Sequence, residues 1–232
     1  MIGNVSFSVI ITTYQDRYEA AESAAQGWLR QPVDQLWILD GSGKFKPKDP
    51  TIEANSRVSI FRMPFDLGPK MDMAMALLTE GDMICLADDD LQPEGNFLAE
   101  LYRGWLKAGG GIAGIIGRTF EGPEYKGGTT FYAARDISEP VRVGFVGVAF
   151  LTTRDVFGFD VRGLPRNADD LWMQMKALPE IPKWVVPTKA YMNHRAASDG
   201  TAMYRKPELK AQRAAFYREQ YLENYAPKGR KF

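Results

Sequence analysis

Short apolar runs that alternate with helix-forming stretches constrain this chain more than any other feature of its sequence. Val5–Thr13 (VSFSVIITT) is rich in β-branched residues and reads as a central strand, and a helix-compatible stretch follows from about 16 to 30. Gln35–Asp40 (QLWILD) is a second strand, closed by the turn residues Gly41, Ser42 and Gly43, and a polar loop leads to a third strand over Arg57–Arg62. Gly68 and Pro69 open a helix whose Met71, Ala74, Met75 and Leu78 fall at i, i+3, i+4 and i+7. Gly81 stops that helix, and Asp82–Ala87 (DMICLA) is a fourth strand. Pro93 starts another helix, with Phe97, Leu98, Leu101 and Trp105 on one face. This order predicts βαβ units, and hence an α/β domain with a mostly parallel central sheet and helices on both faces.

Sheets of this kind bind ligands beyond the carboxyl ends of their strands. Acidic residues gather at those places: Asp16 lies just past the first strand, Asp40 ends the second, and Asp88, Asp89 and Asp90 end the fourth. The segment from Asp82 to Glu94 holds five carboxylates and no basic residue. Something cationic has to compensate it. Mg²⁺ or Mn²⁺ does so with one or two carboxylates plus substrate phosphates, and a solvated acidic turn with Asp90 capping the next helix is the alternative. In an extended segment Asp88 and Asp90 point to one side and Asp89 to the other.

The second half is less regular. Ile112–Thr119 and Val143–Thr152 read as strands, Ala168–Ala177 as a helix, Trp184–Val186 as a last strand, and Pro207 opens a helix to about Asn224. No repeat, low-complexity tract or linker divides the chain. The expectation is a single domain over 1–232, with a first half to 95, a second from 96 to 205, and a C-terminal helix and tail over 206–232. Gly109–Gly114 matches G-x-G-x-x-G, but it follows a helix and precedes a strand, the reverse of the dinucleotide fingerprint, and so reads as a helix C-cap and turn.

Composition narrows the chemistry. With 232 residues, 45% of them hydrophobic, the chain buries a core without disulfides. One cysteine, Cys85, and one histidine, His194, exclude zinc fingers, Cys/His clusters and schemes that need two imidazoles. Cys85 lies in an apolar run and reads as a small buried hydrophobe. The 29 basic and 29 acidic residues cancel, against the basic excess of a nucleic-acid binder. The balance is uneven along the chain, however. Residues 195–232 hold nine basic and four acidic residues, a basic tail suited to a diphosphate, an anionic acceptor or peripheral contact with a membrane surface. The uncharged opening Met1–Gln15 lacks a basic n-region and is too short to span a bilayer, so the expectation is a soluble, cytoplasmic protein with no transmembrane segment.

Three motifs together resemble a known family: SVIITTYQDR at 8–17, WILDGSG at 37–43 and GDMICLADDDLQP at 81–93. In that order and spacing they look like a GT-A (Rossmann-like) glycosyltransferase, and within that fold like the large inverting family 2 group with its D-x-D motif. The resemblance implies that Thr12 and Tyr14 line the nucleotide pocket and that Asp40 contacts the base or ribose. It also implies that Asp88 and Asp89 face the donor and that Asp88 and Asp90 hold Mn²⁺ or Mg²⁺ on the diphosphate. Lys70 follows Asp66-Leu67-Gly68 where the family often has Asn-x-Gly and then an Arg, and is the implied base or phosphate contact. Asn167-Ala168-Asp169-Asp170-Leu171 resembles the family's Glu-Asp pair, whose second acid, Asp170 here, is the general base. Asp169 replaces the Glu and leaves open which acid acts. A late histidine, His194, matches a metal or phosphate ligand, and 196–203 matches a lid with Arg195, Arg205 or Lys206 on phosphate. The Gln-x-x-Arg-Trp signature of processive synthases is absent. Tyr125, Phe131, Tyr132, Trp172 and Trp184 are candidates for an acceptor platform. The implied activity is transfer of one sugar from a nucleoside diphosphate sugar to a glycan or other hydroxyl acceptor. The competing readings are a nucleotidyltransferase and a non-catalytic sugar- or nucleotide-binding module on the same fold.

Overall fold

The computed structural model describes residues 2–65, 68, 70–125, 127–134, 136–165, 169–188, 191–193 and 207–226. Its first half runs β1 (Phe7–Thr13), α1 (Tyr18–Leu29), β2 (Gln35–Asp40), α2 (Pro50–Glu53), β3 (Val58–Arg62), α3 (Lys70–Ala76), β4 (Met83–Asp88), β5 (Leu91–Pro93) and α4 (Phe97–Ala108). The second half follows with β6 (Ile112–Arg118), β7 (Thr130–Tyr132), β8 (Val141–Val143), β9 (Phe145–Thr153), α5 (Asp169–Trp172), β10 (Lys183–Val185), β11 (Tyr191–Asn193) and α6 (Pro207–Asn224).

β1 is the axis of the site. It pairs in parallel with β2 on one side and β4 on the other, so that Thr12 stands level with both Leu39 and Asp88. β3 adds in parallel beyond β2. Strands covered on both faces need apolar residues at nearly every position, and Phe7, Val9, Ile10 and Ile11 of β1 are all fully buried. The steps from β1 to β2 and from β2 to β3 move one way across the sheet and the return to β4 moves the other. Right-handed crossovers therefore place α1 and α2 on one face and α3 on the opposite one. α4 shares the face of α1, since Trp28 meets Phe97 at 5.6 Å between ring centroids, while Phe7 of β1 meets Tyr102 of α4 at 5.2 Å.

The expected α/β architecture with a central sheet parallel through its first four strands is present, and the second half is mixed. The sheet order is β3-β2-β1-β4-β9-β6-β10-β8, with β9 antiparallel to β4 and β6. The expected strand over Val143–Thr152 is divided at Gly144, where a Cβ would lie 2.5 Å from the Phe120 ring. β8 goes to the sheet edge beside β10, while β9 fills the centre. α3 is shorter than its periodicity implies. It ends at Ala76, where the Thr79 hydroxyl donates to the Ala76 carbonyl at 2.7 Å, so Leu78 falls past the helix and is 65% exposed. Buried Met71, Met73 and Ala76 form the inner face instead of the expected 71/74/75/78 stripe. The glycine run at 109–111 is the C-cap turn expected of it: Gly109 closes α4 at φ 82°, and a Cβ on Gly111 would lie 2.3 Å from the Pro182 carbonyl oxygen.

A second, smaller core of Phe120, Leu171, Met175, Tyr217 and Tyr225 seats α6 against α5 and the loop after β6. Among the described residues no helix is long and apolar enough to cross a membrane.

Candidate functional site

The crevice is the space between the carboxyl ends of β1 and β4 and the acids of α3 and α5, whose charges reach Asp88 and one another. Thr12 and Asp88 share one side of the sheet at its mouth, because they are partners in register. The Thr12 hydroxyl is enclosed and has no hydrogen-bond partner among the described residues. Asp88 is closed in by protein on several sides, yet its outer edge is open to solvent. Burial, and then the charges of Asp90, Asp89 and Asp170, push its carboxyl well above the usual range. A carboxyl in that state favours the arrival of positive charge.

The chain does not continue extended past Asp88, which corrects the expected alternation. It turns at Asp89 and Asp90, so both carboxylates meet one guanidinium: Arg17 Nε and Nη2 donate to Asp89 Oδ1 at 2.7 and 2.5 Å, and Nη2 lies 2.9 Å from Asp90 Oδ2. Burial works against the Arg17 charge, but the Asp89 and Asp90 carboxylates outweigh it and raise its pKa. Part of the cation demanded by the acidic segment thus comes from the protein itself. Asp89, 4% exposed, serves Arg17 and not the crevice.

Asp40 is likewise directed inward. It is fully buried; its Oδ1 accepts from the Ser42 amide at 2.9 Å, the Ser42 hydroxyl at 2.7 Å and the Tyr18 hydroxyl at 3.3 Å, and its Oδ2 accepts from the Phe45 amide at 2.6 Å. Burial opposes ionisation, but the Phe45 amide and Ser42 bonds hold its carboxyl below the usual range. Asp40 therefore shapes the loop after β2 and offers no free edge to a base or ribose. Tyr14, 41% exposed, caps the short turn Gln15–Arg17 at the mouth of the crevice. Lys70 is half-buried at the start of α3.

Opposite Asp88 stand Asp169 and Asp170, as the resemblance implied, together with Asp72, which no motif signals. Burial, then Asp169, Asp88 and Asp170 push Asp72 of α3 well above the carboxylate range, against the Met73 amide, which stabilises its anion. Asp169, at the start of α5, is pushed up to about 7 by burial and the adjoining Asp170. Asp170 is held by Arg213 of α6, whose Nη1 and Nη2 donate to its two oxygens at 2.7 and 2.6 Å. α5 itself is one turn long and passes into a wide π-turn over Met173–Ala177, in place of the continuous helix expected there. The buried Gln174 of that turn donates to the Val146 carbonyl at 2.7 Å and accepts from its amide at 2.8 Å, pinning α5 to β9. His194, the 196–203 segment, Arg195, Arg205 and Lys206 lie outside the described residues.

For a divalent cation the donor chemistry fits, since Asp88 keeps an open oxygen edge and Asp90 stands beside it; hard cations of this class need only one or two carboxylates once phosphate oxygens complete the shell. Among the described residues no group of three or more acids, histidines or cysteines is arranged to hold an ion alone. Arg17 ends the 8–17 motif with no partner signalled there, Arg213 lies in no motif, and each pairs across a long stretch of chain.

This α/β fold is shared with solved structures. The structure of S. aureus TarS 1–349 matches with a TM-score of 0.61 at 13% identity, over 95% of this chain and 66% of that one. A second S. aureus TarS structure matches at 0.62 and 15%, over 95% of this chain and 40% of that one. The chain thus spans between two fifths and two thirds of the TarS chains it matches, and at these identities the likeness is one of fold. No protein-family model and no curated protein matches the sequence.

Proposed function

We propose that this chain is a metal-dependent, family 2-like glycosyltransferase that moves one sugar, with inversion, from a nucleoside diphosphate sugar to a glycan or other hydroxyl acceptor. The observation that carries this reading is the meeting of Thr12, Asp88 and the Asp169–Asp170 pair across one crevice, on a fold shared with a glycosyltransferase. Thr12 and Tyr14 line the donor side, with Lys70 reaching phosphate. Asp88 and Asp90 are the residues that would hold Mn²⁺ or Mg²⁺, which when bound stabilises the charge growing on the departing diphosphate. Inversion needs one carboxylate to take the acceptor hydroxyl's proton as its oxygen attacks the anomeric carbon. Arg213 occupies both oxygens of Asp170, so we assign the proton to Asp169, whose pKa near 7 suits a base working at neutral pH. Asp170, held by Arg213, is the neighbouring carboxylate whose charge raises Asp169.

The test is a thermal-shift screen of UDP, GDP and dTDP and their sugars, with and without Mn²⁺, followed by turnover of any sugar nucleotide that binds. A ligand at about 100 times its Kd adds roughly 2.7 kcal/mol to apparent stability, an easily read shift. The expected result is a metal-dependent shift that Asp88→Asn abolishes, and release of nucleoside diphosphate when an acceptor is present. Binding of no nucleotide under any condition would refute the reading.

A further inference from the structure

Arg213 is the side chain that joins α6 to the crevice, and all three of its guanidinium nitrogens are engaged there. Nη1 and Nη2 hold the two oxygens of Asp170, while Nε donates to the Tyr125 hydroxyl at 2.8 Å. The guanidinium lies 5.5 Å from the centroid of the Tyr125 ring and 5.9 Å from that of Phe145. Tyr125 is fixed in turn by Arg118, which lies over its ring at 5.3 Å and donates to its carbonyl at 2.7 Å. The fork has one orientation in this seat, and a bidentate fork sets the plane of the carboxylate it binds.

α6 is also seated by contacts other than this pair. The helix has its own apolar anchor in Phe120, Leu171, Met175, Tyr217 and Tyr225, and Tyr217 adds a hydrogen bond to the Gly122 carbonyl at 2.9 Å. Replacing a buried ion pair by well-packed apolar residues is often neutral or stabilising, so stability alone gives no reason for Arg213. Its placement acts on the acid pair. We propose that Arg213 is a positioning residue for transfer: delivered by α6, it fixes the Asp170 carboxylate and, through it, the orientation of the adjoining Asp169 toward the acceptor hydroxyl. The inference rests on the glycosyl-transfer reading above.

The groups that face the pair are Asp72 of α3, Asp88 of β4 and Arg213 of α6, with Tyr125 and Arg118 behind Arg213. Without Arg213, Asp169 meets, among the described residues, the acids of α3 and β4 with Arg118 set back behind Tyr125, and holds its proton to higher pH. Transfer by the full chain would be measured for Arg213→Ala, Arg213→Lys and Tyr125→Phe, with the exposed Arg218→Ala as control. Arg213→Ala is expected to lower kcat on the order of 100-fold with the donor KM within about twofold, since a misplacement of about 1 Å costs that much. Added guanidinium is expected to restore part of the rate, Arg213→Lys to retain part of it, and the acid limb of the pH–rate profile to move to higher pH. Arg218→Ala is expected to behave as wild type. If Arg213→Ala does not fold, Arg213→Lys and Tyr125→Phe, which keep the apolar anchor, must still show the fall in kcat. Unchanged kcat per folded molecule, or a loss that guanidinium does not touch and the pH profile does not register, overturns the proposal. A wild-type chain that turns over no sugar nucleotide overturns the functional reading itself, which the wild-type assay alone reveals.

Discussion

Arg17→Ala tests the electrostatics of the acidic turn directly. The guanidinium is 17% exposed, its partners Asp89 and Asp90 only 5% and 12%, and the contacts are 2.5 and 2.9 Å. Two charges about 4 Å apart interact by about 4 kcal/mol at an effective dielectric constant of 20. Breaking a buried pair by removing one partner costs about 3–5 kcal/mol, because the other charge is left uncompensated. Here two carboxylates lose their partner at once and then repel each other. The expected loss is therefore about 4 kcal/mol, a large share of the roughly 5–15 kcal/mol that hold a domain folded. In a chain of this length it lowers Tm by roughly 8–16 °C. The measurement is urea unfolding of wild type, Arg17→Ala, Asp89→Asn and the double variant, compared as a cycle. The double variant should be distinctly less damaged than the sum of the singles, with a coupling of about 2–3 kcal/mol, the upper range for residues in one network. Mn²⁺ should recover more stability in Arg17→Ala than in wild type if a divalent ion takes over the vacated charge. A cost below about 1 kcal/mol for Arg17→Ala, the level of an exposed pair, or strict additivity in the cycle, would refute the account of Arg17 as the buried counter-charge.

Asp169 carries a pH signature of known sign. Its folded-state pKa near 7 lies above the unfolded value of 3.8, so between those values the folded chain keeps a proton that the unfolded chain releases. Stability from this group is full below about pH 4 and is lost as pH rises toward 7. Asp169→Asn should flatten that slope in urea midpoints taken from pH 4.5 to 7.5 and abolish turnover; full turnover would move the base elsewhere. Gln174→Ala leaves the Val146 amide and carbonyl without their side-chain partner in a fully buried place. It should cost about 2–6 kcal/mol on unfolding, from a buried polar penalty of about 1–3 kcal/mol for each of the two groups.

The parallel half of the sheet was legible because its signals are local. β-branched runs such as 7–13 and helix punctuation such as Gly109 depend on neighbours only a few residues away, and the acids at strand ends follow from where those strands stop. The site was legible as a set of carboxylates and not as a set of partnerships. Arg17 reaches Asp89 across 72 residues and Arg213 reaches Asp170 across 43, distances at which no spacing rule operates. Asp40 shows the opposite failure: its position at a strand end pointed outward to a ligand, but Ser42, Phe45 and Tyr18 turn it into the loop's own hydrogen-bond acceptor. Asp72 was masked by the apolar periodicity of its helix, and nothing in 70–76 signals that Asp169 stands opposite.

The small sheet formed by β5 and β11 gives the acidic turn a place in time as well as in space. β5 begins one residue after Asp90, and its antiparallel partner sets Asn193 opposite Leu91, roughly a hundred residues further along the chain. Closing a loop of that size costs on the order of 4 kcal/mol of chain entropy before any contact returns it. Pairings so distant in sequence slow folding. The segment beyond Asp90 gains its partner strand only once the chain as far as Asn193 has been made and brought back, so the mouth of the crevice takes its final shape no earlier than that.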